Sequence, residues 1–149
     1  MKKSIYCGFI LVIMMACNIE PEPIDYGADA CEYCHMTIVD RQHAAEIVTK
    51  KGRAYKFDAI ECMMNYMKSM DNAKAGLYLI TDYKQPGILI DANKATYLIS
   101  KEISSPMSAF LSGTSSKEEA EKLQDENGGN LYNWNDLINY FRDTDGVIQ

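Results

Sequence analysis

The sequence lacks a second Cys-x2-Cys pair, an excess of basic residues, and any apolar run long enough to span a bilayer. Each absence closes a class. A zinc ribbon needs a second thiol pair or a histidine pair downstream of the first. After Cys31 and Cys34 only His43 and Cys62 follow, and neither has partner spacing. With 15 Lys and Arg against 21 Asp and Glu the net charge is −6. No basic stripe is present to neutralise phosphates, which argues against nucleic acid as a partner. The most apolar stretch, Ile5 to Met15, is about a dozen residues, the length of a signal-peptide core and short of a membrane-spanning helix. No low-complexity tract occurs, and the two halves of the chain share little residue identity.

What is present begins with a processing signal. Lys2 and Lys3 precede the apolar run, which closes on Met14-Met15-Ala16-Cys17. A small residue before a cysteine at that place resembles a lipobox. Residues 1–16 are therefore expected to leave as a signal peptide, with Cys17 lipidated at the new N-terminus; several acyl chains would anchor it firmly. An ordinary signal peptide with a chance cysteine is the plainer alternative. Without Lys2 and Lys3 the balance is 13 basic residues against 21 acidic. That suits a soluble domain tethered at a membrane. Residues 17–30, with Pro21, Pro23 and Gly27, read as the lipidated end and a flexible tether.

The folded part is expected over residues 31–149, as an α+β domain of two small related β-β-α-β units packed together, roughly 31–83 and 84–149. Thr37 to Val39 is β-prone. His43–Thr49 and Arg53–Phe57 read as a hairpin around Lys50-Lys51-Gly52. Asp58 stands as an N-cap with Glu61 three residues on, a capping-box pattern, opening a helix from about Ala59 to Met70. Ile60, Met63, Met64 and Met67 make its apolar face. Leu77–Thr81 follows as a strand. The second half repeats the rhythm: strands at Ile88–Ile90 and Ala95–Ser100, then a loop through Pro106 and Met107 into another strand. A helix over Lys117–Glu126 is capped at Ser115 with Glu118. A strand at Leu131–Trp134 precedes a last helix, Asp136–Arg142, capped by Asn135.

Chemistry concentrates in Cys31-Glu32-Tyr33-Cys34-His35-Met36, with two thiols, an imidazole and a thioether in six residues. Of five cysteines, Cys7 would leave with the signal and Cys17 would carry lipid. The remaining three are an odd set for a disulfide framework. A redox pair would stand after a strand and at a helix start, whereas this motif follows a Pro- and Gly-bearing segment. A structural disulfide between Cys31 and Cys34 is a further reading. The last is a soft-metal site: Cu(I) prefers thiolate and thioether and accepts low coordination numbers. Cys31, Cys34 and Met36 would serve it, with His35 as an optional nitrogen ligand. Met107, in a loop outside any periodic stripe, is a candidate second thioether. Met63, Met64 and Met67 read as core. Cys62 reads as a buried inert thiol and His43 as a structural or surface histidine.

Taken together, the lipobox cysteine, acidic tether, Cys31-x2-Cys34-x-Met36, Ala44-Ala45-Glu46-Ile47, Phe57-Asp58, Ile60-Glu61-Cys62-Met63, Ser105-Pro106-Met107, Ala109-Phe110, Gly128-Gly129 and Trp134 resemble the nitrous oxide reductase accessory lipoprotein family, NosL. The likeness runs from about Cys17 to Phe141. It implies a non-enzymatic Cu(I) chaperone, lipid-anchored in the cell envelope and periplasm-facing. Its cargo would serve the copper-sulfide centre of nitrous oxide reductase, beside a periplasmic partner and an ABC transporter of that assembly system. It also implies a fold akin to part of organomercurial lyase. By position Cys34, Met36 and Met107 match the elements expected to hold copper, and Cys31 matches too. One departure stands out: His35 takes a place where the family often has glycine. Glycine allows positive φ, and histidine tolerates it better than branched residues do. The rival classes are a thiol-disulfide oxidoreductase, a lyase acting on carbon–metal bonds with Cys31, Cys34, Cys62 and Asp58, and a lipoprotein with only a structural disulfide.

Overall fold

The structure, a computed structural model, describes residues 19–144. The signal run, Cys7 and Cys17 lie outside the described residues. Seven strands and three α-helices follow in the order β1 (Ala45–Thr49), β2 (Ala54–Phe57), α1 (Ile60–Ser69), β3 (Ala75–Asp82), β4 (Gln85–Asp91), β5 (Thr96–Ile99), β6 (Leu111–Thr114), α2 (Lys117–Asn127), β7 (Asn130–Tyr132) and α3 (Trp134–Asp143). They form two antiparallel sheets, ordered β2-β1-β3-β4 and β6-β5-β7. In each sheet the first strand lies between the second and third, and a helix joins those two. The second sheet is thus threaded β-β-α-β, and the first has the same threading with β4 added at its edge, so the Ile88–Ile90 strand expected in the second unit belongs to the first sheet. Thr37 to Val39 contributes only an isolated bridge, Ala30 to Thr37.

The sheets meet where β3 crosses β6. A Cβ on Gly113 would meet Ile80 Cδ1, so any larger residue there would push the Ile80 side chain aside. Tyr83 N–H donates to the Gly113 carbonyl beside it (2.8 Å). Trp134, opening α3, sets its ring against Tyr78 of β3 and Tyr97 of β5, at centroid distances of 5.6 and 6.0 Å. Met63 and Met64 are buried with Ile60, Phe57, Ile80 and Leu111 in one continuous core. His43 is buried as well, bridging Asp40 Oδ2 through Nδ1 (3.0 Å) and Ser112 Oγ through Nε2 (3.2 Å). The Asp–His–Ser order superficially resembles a hydrolase triad. Ser112 is only 1% exposed on a central face, out of reach of a substrate, so the trio is a strut between the halves.

The helix starts differ from the expected caps. α2 is capped by Ser116, whose hydroxyl accepts from Glu119 N–H (3.2 Å), and not by Ser115. α3 is capped by Asn133, accepting from Asp136 N–H (3.0 Å), and not by Asn135. α1 has Ala59 at its N-cap and no side-chain cap. Asp58 and Glu61 do not form a capping box, because both carboxylates are taken up by tertiary partners. The expected tether also differs. From Ile19 the chain lies on the domain. Glu22 N–H donates to Glu46 Oε1 (2.8 Å), and Lys56 Nζ reaches Pro23 C=O (2.9 Å) and Asp29 Oδ2 (2.8 Å). Tyr26 packs on the core beneath the Arg41 guanidinium. The buried Glu46 and half-buried Lys56 need partners, and the strap supplies them.

Candidate metal centre

Residues 31–36 close into a tight turn. Cys31 N–H donates to Met36 C=O (2.8 Å) and His35 N–H to Cys31 C=O (3.0 Å). The turn requires a left-handed residue, and His35 supplies it at φ +62°. That is the position where glycine was the family expectation, and histidine meets its demand. Glu32 N–H donates to Lys56 C=O (2.8 Å), which moors the turn to the end of β2. The β2–α1 junction then lies alongside. Asp58 precedes the Ala59 N-cap and Cys62 lies in the first turn of α1, and both side chains reach the cysteine turn.

The result is a cluster of four. Ligand atoms of Cys31, Cys34, Asp58 and Cys62 all lie within 4.8 Å of one another. Cys31, Asp58 and Cys62 are buried and Cys34 is half-buried, so the cluster opens at Cys34. All three cysteines are free thiols. The Cys34 thiol donates to Asp58 Oδ1 at 3.5 Å. The Cys62 thiol donates to Cys31 sulfur, and against the penalty of burial this holds Cys31 down to about 6. Backbone N–H groups of Cys34, Asp58 and Tyr33 converge on the same sulfur and lower it further. Burial pushes Cys34 up to about 11. Cys62 is driven upward by its bond to Cys31, by burial and by Asp58. Of the three thiols Cys31 is thus the one that ionises most readily, while Cys34 and Cys62 hold their protons more tightly. This is a soft, anionic, preorganised pocket for a thiophilic cation.

The structure brings together Cys31 and Cys34 from the expected copper set and adds Cys62 and Asp58, which the sequence groups with them only in the lyase alternative. Cys62 belongs to the cluster and is not a bystander in the core. Asp58 faces the thiols where a cap was expected. The signal that could have found them is the four-residue spacing of Asp58 and Cys62 across a helix start. His35 stands outside the group and is exposed. Met36 and Met107 are 53% and 41% exposed, accessible to solvent where core methionines are sealed. Met107 sits in a loop held to α1. Glu61, 2% exposed, accepts from Ser105 Oγ (2.5 Å) and Ala109 N–H (3.4 Å).

A family model described as NosL matches residues 24–140. The chain belongs to the NosL family. The match starts inside the strap at Ile24, as expected of a segment that is part of the fold. Among solved structures, a crystal structure of the copper chaperone NosL from Shewanella denitrificans superposes with a TM-score of 0.66 at 19% identity, covering 79% of this chain and 95% of that one. At that identity the likeness speaks for the NosL fold: two antiparallel sheets with three helices. No curated protein sequence matches the chain. Among the described residues no helix is long and apolar enough to cross a membrane.

Proposed function

We propose that this NosL-family chain is a Cu(I) chaperone whose cargo sits on the Cys31–Cys34–Cys62 cluster. The observation that carries the reading is the enclosure of three sulfurs within 4.8 Å, with one side open at Cys34. Monovalent copper is soft and is satisfied by two or three sulfurs, so it needs no carboxylate ligand. Asp58 has another role in this reading. It already accepts the Cys34 hydrogen bond, and it is the nearest base for that proton when the sulfur takes metal. Met36 and Met107, both exposed, are the thioethers that would complete or hand on the coordination at the open side. A site that keeps exchangeable ligands at its mouth releases metal to a partner by ligand substitution, without unfolding.

The finer reading follows the family resemblance. The chain is lipid-anchored through Cys17 after loss of residues 1–16, faces the periplasm, and supplies copper for the copper-sulfide centre of nitrous oxide reductase beside that enzyme's assembly factors. The lipobox-like Met14-Met15-Ala16-Cys17 supports the anchor. With the chain laid on the domain from Ile19, such an anchor would hold the fold close to the membrane surface. Kinship of the paired β-β-α-β threading with part of organomercurial lyase belongs to the same proposal. The test is complementation. In a host lacking this gene, nitrous oxide reductase should be made without its copper-sulfide centre. Wild type should restore the centre and a Cys31→Ser, Cys34→Ser variant should not. A fully loaded reductase in the deletion host would end the delivery reading.

One observation favours a second reading: a carboxyl group stands among the thiols. Cleavage of a carbon–metal bond needs thiolates to hold the metal and an acid to protonate the departing carbon, and Asp58 is placed to be that acid. Catalytic release of hydrocarbon from an organomercurial by wild type, abolished in Asp58→Asn, would establish that activity.

A further inference from the structure

We propose that Glu61, acting through Ser105, is the residue that positions Met107 for the metal. It is a buried carboxylate on α1, next to Cys62 in the chain, that latches a loop of the second sheet's half onto the helix carrying the thiol. The proposal rests on the reading of Met107 as a sulfur ligand. Within residues 105–110 three polar groups converge on this pair. Ser105 Oγ–H and Ala109 N–H both donate to Glu61 Oε1, and Phe110 N–H donates to Ser105 Oγ (2.9 Å). Ser108 N–H closes the turn onto Ser105 C=O (3.0 Å). Met107 stands at the outer end of this turn, 41% exposed, while Ser105 and Ala109 on either side are buried.

The backbone shows what the latch holds against. Ser108 has φ +61° and Phe110 φ +58°. Among the described residues the only other non-glycine at positive φ is His35, in the cysteine turn. L-residues are disfavoured there and stay only where surrounding bonds over-determine the backbone. In the cysteine turn the restraint comes from Cys31, Met36 and Glu32. In the methionine turn it comes from Glu61 and Ser105. An acidic side chain at 2% exposure is costly to bury unless hydrogen bonds meet it, as Ser105 and Ala109 do here. Its return is a fixed path from Cys62 to Met107.

The test is a double-mutant cycle of Cu(I) affinity, measured by chelator competition under reducing, oxygen-free conditions with the purified protein, alongside thermal midpoints. Met107→Ala should weaken Cu(I) binding. Ser105→Ala, which removes the shared hydroxyl without opening a large cavity, should weaken it by about tenfold. Added to Met107→Ala it should cause no further loss. Glu61→Leu, which removes the acceptor at similar size, should weaken Cu(I) binding as Ser105→Ala does, and Glu61→Gln, which keeps an accepting oxygen, should restore it to within about twofold of wild type; a Glu61→Leu protein that folds and binds as wild type refutes the latch. If Met107→Ala weakens binding and Ser105→Ala does not, the latch is wrong and the ligand reading stands. Losses that multiply in the double variant also refute the latch, because the loop would then act through the fold and not through Met107. If Met107→Ala binds copper as wild type does, the Met107 reading falls and the latch with it; Cys34→Ser in the same series shows separately whether the thiol site stands.

Discussion

Removing the Cys62 thiol should silence Cys31. In the folded chain Cys31 is held at about 6, from an ordinary value of 9.0, chiefly because the Cys62 thiol donates to its sulfur. At pH 7 a thiol at about 6 is roughly nine-tenths ionised, and one near 9 is ionised to about one part in a hundred. Cys62→Ala deletes the donor and leaves the burial that opposes ionisation. With the backbone N–H bonds from Cys34, Asp58 and Tyr33 still in place, Cys31 should then titrate well above 6, toward the ordinary thiol range. Cys62→Ser keeps a hydroxyl donor at the same place and should hold Cys31 low. The assay is ultraviolet thiolate absorbance against pH, on apo protein with Cys34 replaced by Ser, supported by alkylation rates at neutral pH. Stability should follow with a definite sign. Cys31 is depressed, so its contribution is full above the unfolded value near 9 and is lost as pH falls through about 6. Between those limits apo wild type should gain stability with rising pH, by at most about 1.4 kcal/mol per pH unit from this group. Cys34 acts in the opposite sense: its raised value stabilises below the unfolded thiol pKa, and the contribution is lost as pH rises through about 11. That window lies above the one for Cys31, so the two slopes do not overlap. A Cys62→Ala variant whose Cys31 still titrates near 6 would refute the hydrogen-bond account.

Three further outcomes follow from the fold. Ser116→Ala should cost about 1 kcal/mol of stability in chemical denaturation and Ser115→Ala close to nothing, because only Ser116 caps α2. A larger cost at Ser115 would reverse the assignment. His35→Gly should keep Cu(I) affinity, and His35→Val should lose about 1–2 kcal/mol of stability at its positive φ; loss of copper in the glycine variant would make the imidazole a ligand. Lys56→Met should leave the domain folded but speed proteolysis within residues 19–30, since the ion pair with Asp29 and the bond to Pro23 both go. An unchanged cleavage rate would mean that Glu46 and Tyr26 hold the strap without it.

Periodicity and turn chemistry carried the fold. The Met63, Met64 and Ile60 face and the alternating Arg53–Phe57 stretch each became the expected element. What misled was capping. Ser115 and Ser116, or Asn133 and Asn135, offer near-identical local chemistry, and only the path of the incoming chain selects between them. Asp58 and Glu61 have the spacing of a capping box, yet thiols and a distant serine compete for their oxygens, and those partners are invisible to a local pattern. The site was half legible for the same reason. Cys31 and Cys34 are neighbours in sequence. The spacing of Asp58 and Cys62 pairs those two, but their meeting with Cys31 and Cys34 depends on tertiary contacts such as Glu32 N–H to Lys56 C=O, which a local pattern does not encode. The strap looked like a linker because it is rich in Pro and acidic residues. Its partners, Glu46 and Lys56, are charged groups on strands that needed covering.

Whether the three sulfurs form one Cu(I) site is decided by anaerobic titration of reduced protein with Cu(I) in the presence of a competing chelator. The prediction is one tight equivalent in wild type, weakened in Cys62→Ala and lost in Cys31→Ser, Cys34→Ser protein that keeps its native thermal transition. Equal binding by wild type and the folded double variant would place copper elsewhere and contradict the site.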